Sequence, residues 1–173
     1  MQLPFGNKSF DAVVCQFGVM FFPDKVHAFA QARRVLRPGG VLLFNVWDHI
    51  EDNELAALVT ATLAEVFPAD PPRFMARTPH GWFDQATLAR HLAGTGFGEA
   101  PPIETVTQRR RAPSALTAAM AYCQGTPLRN EIEARQGATL AQATTACEAA
   151  IAQRFGAGEI DAKIQALVVS VRH

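Results

Sequence analysis

The chain has 173 residues, nearly half of them apolar, which is enough to bury one core. Lys plus Arg and Asp plus Glu number 16 each, so the net charge is zero, and no field is available to hold a nucleic-acid backbone or an anionic membrane. Cys15, Cys123 and Cys147 are far apart with no Cys-x-x-Cys pair, which excludes a zinc site or a disulfide framework and fits a reducing cytoplasm. No apolar stretch has bilayer-spanning length, and the start lacks the basic and apolar regions of a signal peptide, so the expected location is cytoplasmic.

In chain order, Pro4, Gly6 and Asn7 make a turn-rich opening. Phe10 to Phe17 reads as a short strand buried on both faces, with Cys15 a small apolar filler. Asp24 can cap a helix from Lys25 whose Val26, Phe29, Ala32, Val35 and Leu36 recur at helical spacing. Pro38 stops it, Gly39-Gly40 permit a reversal, and Val41 to Trp47 is a second buried strand. Strand, helix and strand form a βαβ unit with parallel strands.

Leu55, Leu58, Val59, Leu63 and Val66 make a helical stripe, and Pro68, Pro71 and Pro72 open an irregular stretch to Trp82. Asp84 caps a helix carrying Leu88 and Leu92, closed by Gly94 to Gly96. Ile103 to Gln108 reads as a strand, with Arg109-Arg110-Arg111 its solvated end. Ser114 caps a helix through Leu116, Met120 and Cys123; residues 128–135 are helical. Leu140, Ala143, Cys147, Ile151 and Phe155 mark a longer amphipathic helix, with Cys147 in the core. Ala166 to Val171 is apolar on both faces and reads as a covered strand. The chain divides as one domain into a strand–helix–strand core (1–50), helices and a strand (51–112), a helical insertion (113–158) and a terminal strand (159–173).

The succession Leu3-Pro4-Phe5, Ser9-Phe10-Asp11, a strand, an aromatic stretch, a helix, Leu36-Arg37-Pro38-Gly39-Gly40 and a hydrophobic strand resembles class I S-adenosylmethionine-dependent methyltransferases from just before their fourth strand through their fifth. His80-Gly81-Trp82-Phe83-Asp84 and Gly96-Phe97 resemble the family's last helix and its lead into the sixth strand, and Ala166 to Val171 its antiparallel seventh. The resemblance implies an α/β fold, a partial Rossmann-like sheet of the fourth to seventh strands, with a helical insertion before the last. In the family three strand–helix units precede the position of Leu3 and carry the glycine-rich cofactor loop and two acidic cofactor contacts; none of these is present in this sequence.

The resemblance implies S-adenosylmethionine as cofactor and a small-molecule acceptor. It places Gln16 and Phe17 toward the methionine part of the cofactor and Leu3 and Phe5 near the adenine, with Val19 also on the cofactor-binding edge. Trp47, His49, His80, Trp82 and Tyr122 are the candidates for the acceptor side, with Asp48 beside the first two. No catalytic residue is singled out, and no metal site. Each candidate also has a plainer reading: Phe21 and Phe22 as sheet cover, His80 as a loop hydrogen-bonder, Trp82 as a plug between helix and sheet. Without the front contacts, binding by this chain is expected to be very weak. The strand from Phe10 has an open side, which predicts self-association. The alternative is a non-catalytic binding module on the same fold; a nicotinamide-dependent oxidoreductase ranks below both.

Overall fold

A computed structural model describes residues 2–97 and 101–173. Four strands form one sheet in the order β1-β2-β4-β3: β1 Phe10–Gln16, β2 Leu36–Trp47, β3 Ile103–Ala112 and β4 Ile160–Arg172. β1 and β2 are parallel and β4 runs antiparallel to β2. The helices are α1 Lys25–Val35, α2 Glu54–Val66, α3 Phe74–Arg77, α4 Gln85–Ala93, α5 Ala115–Cys123, α6 Leu128–Glu133 and α7 Leu140–Phe155. The parallel pair, the antiparallel last strand and the helices before it are those that the sequence leads one to expect.

The chain forms two compact units. The first comprises residues 1–48, 82–106 and 166–173, the second residues 49–81 and 107–165.

In the first unit, alternation along the strands sets two unlike faces. Val13 and Cys15 of β1, Leu42, Phe44 and Val46 of β2, and Leu167, Val169 and Val171 of β4 share one face through the ladder. That face joins Phe29 and Ala32 of α1 and Leu88 and Leu92 of α4 in one core. α1 begins where Asp24 accepts the amide of His27, and α4 where Asp84 accepts that of Thr87. The other face carries Ala12, Val14 and Gln16 against Val41, Leu43 and Asn45. Burial of β1 on both faces is therefore corrected: Val14 is 66% and Leu43 37% exposed, because the described helices cover one side only. Cys15, on the covered face, is half-buried, and Phe21 is exposed rather than covering the sheet.

β2 also starts earlier than expected. Leu36 pairs with Phe10, and regular pairing resumes at Ala12 with Val41, so Arg37 to Gly40 bulge out opposite Asp11. Gly39 takes φ +80°, and a Cβ on Gly40 would meet the Arg37 and Asp11 carbonyl oxygens at 2.9 and 3.0 Å. The glycines thus serve a bulge within the strand, closed by Arg37 on Asp11 at 2.6 Å. β3 likewise continues through the arginines to Ala112, with Arg109 on Asp161 of β4 at 2.7 Å. β4 begins at Ile160, ahead of the apolar run, because Ile160 and Ala162 supply buried positions of their own.

The second unit packs α2, α5 and α6 against α7 around Leu55, Val59, Leu63, Ala119, Ile132 and Ile151. α7 opens with a capping box between Thr139 and Gln142. The proline-rich stretch, expected to be irregular, contains α3, whose first amides donate to the Glu131 carboxylate. Two carboxylates tie this unit together. The Lys163 amide, then Arg154, holds the Glu54 carboxyl below its ordinary value against the upward push of burial. At Glu131 burial pushes upward, but the Arg73 and Phe74 amides and Arg77 prevail and the shift is downward. A depressed native pKa means stability that is complete above the unfolded value and lost as pH falls through the native one. The second unit is therefore expected to lose stability first as pH falls below about 4.5. Tyr122, the sole tyrosine, lies in this unit and Trp47 and Trp82 in the other, so acid titration followed by tyrosine and tryptophan signals separately checks it.

Candidate functional site at the carboxyl end of the parallel pair

β1 ends in a strained turn. Phe17 follows Gln16 with φ +48°, a left-handed conformation that costs an aromatic residue roughly 1–2 kcal/mol. Two contacts hold it. The Phe17 amide donates to Asn45 Oδ1 at 2.8 Å, and the Phe17 ring stacks on Trp47 at 4.1 Å between centroids. A Cβ on the next residue, Gly18, would lie 2.8 Å from Cys15 Sγ, so the chain turns sharply there. Val19 and Met20 then bury in a short 3-10 turn. The result presents the Gln16 side chain, which is exposed, beside the backbone of Phe17 and Gly18 at the carboxyl ends of two parallel strands. That is where ligands sit in open α/β sheets.

The opening loop is held chiefly by side chains of α1. Arg34 of α1 donates to the Leu3 carbonyl at 3.0 Å, the Phe5 carbonyl at 2.8 Å and Asn7 Oδ1 at 2.8 Å. Gln31 adds an acceptor for the Leu3 amide. Phe5 is half-exposed and sets its ring edge-on to Phe10 at 5.0 Å. Below β1 lies an apolar cavity of about 200 Å³ lined by Leu3, Val13, Cys15, Phe22, Phe29 and Leu42.

Of the acceptor-side candidates, Trp47 and Trp82 belong to this unit. Trp82 stacks with Phe29, Phe44 and His91, and Lys25 Nζ lies 5.2 Å from its ring centre. Burial lowers the Lys25 pKa; burial, then Arg90 and Lys25, lowers that of His91. The others lie in the second unit. His49 accepts the Glu51 amide, His80 is buried, and Tyr122 is buried with its hydroxyl accepting from Arg110 at 3.1 Å. Burial pushes the Tyr122 phenol up, against Arg110.

Two residues with clear positions were missed from sequence. Asn45 interrupts an apolar strand, and a polar side chain there signals a partner. Arg34 sits in the last turn of α1, where sequence marks it only as a cation at a helix end, while its loop partners lie about thirty residues earlier. Gln16 was assigned to a buried strand end, whereas its side chain is exposed. Among the described residues no His, Cys, Asp and Glu cluster could hold a metal ion, and no helix is long and apolar enough to cross a membrane.

A parallel β–α–β pair with an antiparallel last strand beside it makes a partial Rossmann-like sheet. Comparison with known proteins agrees: residues 1–44 match the methyltransferase domain family. A demethylmenaquinone methyltransferase of Mycobacterium sp. (strain KMS) is 31% identical over 107 residues, 57% of this chain and 46% of that protein. A ubiquinone/menaquinone biosynthesis C-methyltransferase of Paracoccus denitrificans is 31% identical over 107 residues, covering 57% and 43%. The chain thus spans just under half the length of these relatives. A methyltransferase candidate from Bacillus halodurans C-125 superimposes with TM-score 0.51 at 17% identity, over 99% of this chain and 67% of that one, which supports the fold. The chain is thus similar to methyltransferases in sequence over residues 1–44 and over part of these relatives' length, and in fold.

Proposed function

We propose that this chain forms the carboxyl-edge half of an S-adenosylmethionine site and serves methyl transfer to a small-molecule acceptor. The observation that carries the reading is the Phe17 turn, held by Asn45 and Trp47 in a segment that matches the methyltransferase domain family. The residues fit the cofactor chemically. Gln16 and the Phe17–Gly18 backbone offer polar groups for its amino-acid end, and the half-exposed Phe5 ring, on a loop held by Arg34, offers an apolar face for adenine. The cofactor supplies an electrophilic methyl group on a sulfonium. The chain's part is to orient the partners of an in-line displacement, for which proximity alone gives much of the acceleration. The names of the two curated relatives make a quinone ring the first acceptor class to test.

These 173 residues offer no glycine-rich loop and no acidic ribose contact. Two missing bonds to charged groups cost about 3–6 kcal/mol, or roughly two to four powers of ten in affinity. Titrating the isotopically labelled chain with S-adenosylhomocysteine should move the amide signals of Leu3, Phe5, Gln16, Phe17 and Gly18, with saturation far above micromolar. Unmoved signals at these positions would overturn the site; micromolar binding by calorimetry would overturn its weakness. The open side of β1 and the exposed Val14 and Leu43 favour self-association through that strand, which the line widths of the same spectra read directly. A non-catalytic module would show the association without the ligand shifts.

A further inference from the structure

The aromatic stack that joins α4 to the core of the first unit contains one side chain able to protonate near neutral pH. The Trp82 indole lies nearly parallel to the rings of Phe29 on α1, Phe44 on β2 and His91 on α4, at 6.0, 6.5 and 5.7 Å between centroids. Lys25, the first residue of α1, sets its Nζ 5.2 Å from the same indole centre while donating to the Phe22 carbonyl at 3.0 Å. All of these residues belong to the first unit. Two polar atoms of the stack, Trp82 Nε1 and His91 Nδ1, are buried without a hydrogen-bond partner. Buried polar atoms are nearly always paired, so an unpaired ring nitrogen on a histidine marks a place where one proton changes the balance.

We propose that His91 is a proton-sensitive latch: its neutral ring holds α4 on the Trp82 stack, and uptake of a proton by His91 loosens α4 from α1 and β2. The neutral imidazole can carry its single proton on Nε2 and keep a bare lone pair at Nδ1. The cation carries a proton on both nitrogens, so a charged N–H would be buried at Nδ1 with nothing to accept it. An unmet buried donor is costly, and more so when charged.

The neighbours act in the same direction. From α1, Lys25 presents a second cation to the same indole, and Arg33 is engaged by the Gly96 carbonyl just past α4 at 3.2 Å. On α4 itself Arg90 precedes His91 and bonds Thr87 Oγ1 at 2.9 Å. β2 and β4 turn Leu42, Phe44, Val46, Leu167 and Val169 to this core, none of them ionisable. The carboxylate at the start of α4, Asp84, is occupied by the Thr87 amide at the far end of the helix. Two influences favour the cation, the indole face and the carbonyl end of α4. Burial, then Arg90 and Lys25, outweigh them and hold the imidazole below its ordinary value. A native pKa below the unfolded one means that docking is complete above the unfolded value, about 6.5, and weakens as pH falls from there toward the native value. The loosening is a local opening that uncovers Leu88 and Leu92, and it begins above the carboxylate range in which the second unit yields.

The test uses the full chain. The His91 imidazole signals, assigned through their bonds to the backbone, are followed by NMR between about pH 8 and pH 5, in buffer and in urea. The folded midpoint is expected below the urea midpoint, with the Trp82 indole N–H signal moving at the same pH. Hydrogen exchange, corrected for the intrinsic rate, should show the α4 amides opening more at low pH, by about tenfold for each unit that separates the two midpoints. Amides of α7, in the other unit, should not follow. His91→Phe keeps a flat ring on Trp82 and should abolish the added opening, while Lys25→Met removes the facing cation and should raise the midpoint. A folded midpoint at or above the urea value, or added α4 opening that persists in His91→Phe, would overturn the latch. If a variant fails to fold by circular dichroism, the unaltered chain decides: α4 opening that does not match the separation of its two midpoints would equally overturn it.

Discussion

Replacing Asn53 by alanine is expected to lower the stability of the second unit by about 1.5–4.5 kcal/mol. Asn53 is 2% exposed, one of few buried polar side chains among the described residues. Its amide nitrogen donates to the His49 carbonyl at 3.1 Å and the Gln165 carbonyl at 3.2 Å, and its oxygen accepts the Gln165 amide at 3.0 Å. It joins the turn before α2 to a distant strand, with Lys163 on Asp52 at 2.9 Å alongside. Alanine would remove one accepted bond from each of the His49 and Gln165 carbonyls and the acceptor of the Gln165 amide, three charge-neutral bonds at a side chain that is itself buried, each contributing about 0.5–1.5 kcal/mol. Aspartate should not rescue it. It keeps the acceptor for Gln165 but turns a charge toward two carbonyl oxygens. Unfolding followed at Tyr122 should show the loss, with the tryptophan signal of the other unit as internal comparison. A Tyr122 midpoint shifted by less than the equivalent of about 0.5 kcal/mol would refute the role.

Asn53 also shows where the sequence stops being legible. The strands and helices with regular spacing could be read, as could the caps at Asp24, Asp84 and Ser114, because each signal lies within a few neighbouring residues. Asn53 and Arg34 act on partners far along the chain and nothing local marks them, while Asn45 is marked only as a polar break in an apolar strand that does not name its partner. The bulge at Arg37 to Gly40 was read as a turn because Pro-Gly-Gly suits either, and only pairing with Phe10 decides. Burial of β1 on both faces was misjudged because an apolar strand looks the same whether or not its second face is covered. For the candidate site, resemblance points to Gln16, Phe17 and Val19, but the left-handed Phe17 found there has no signature in sequence, since nothing in Gln16-Phe17-Gly18 forces φ positive before the glycine.

The two outer strands of the sheet differ in a way that bears on partners. β3 carries Glu104, Gln108 and three arginines, largely exposed, and charge of this kind discourages strand addition. β1 carries one charged residue, Asp11, and Arg37 engages it. With that single charge at its start and an exposed Val14, β1 has less of this protection than β3.

Phe44→Ala is expected to cost the first unit about 3–5 kcal/mol, whereas Leu43→Ala should cost less than about 1 kcal/mol. The residues are adjacent, but strand alternation sends them to opposite faces. Phe44 is 1% exposed, with its ring 5.2 Å from Phe29 and 6.5 Å from Trp82 between centroids. In the ladder it lies between Cys15 and Val169. Removing the ring leaves a void beside the apolar cavity under Leu42 and Phe29, which partial collapse cannot fill, and loses aromatic contacts beyond the buried area. Leu43 faces the uncovered side and gives up little. Denaturation followed by tryptophan emission measures both, since Trp82 stacks on Phe44. Equal losses would mean that Leu43 is covered in solution, and repeating the measurement at lower protein concentration would tell coverage by another copy from coverage within the chain. A large loss at Phe44 alone, with the Phe17 amide signal displaced, would tie the core beneath β2 to the turn above it, because Asn45 follows Phe44 in the strand and holds Phe17 in place.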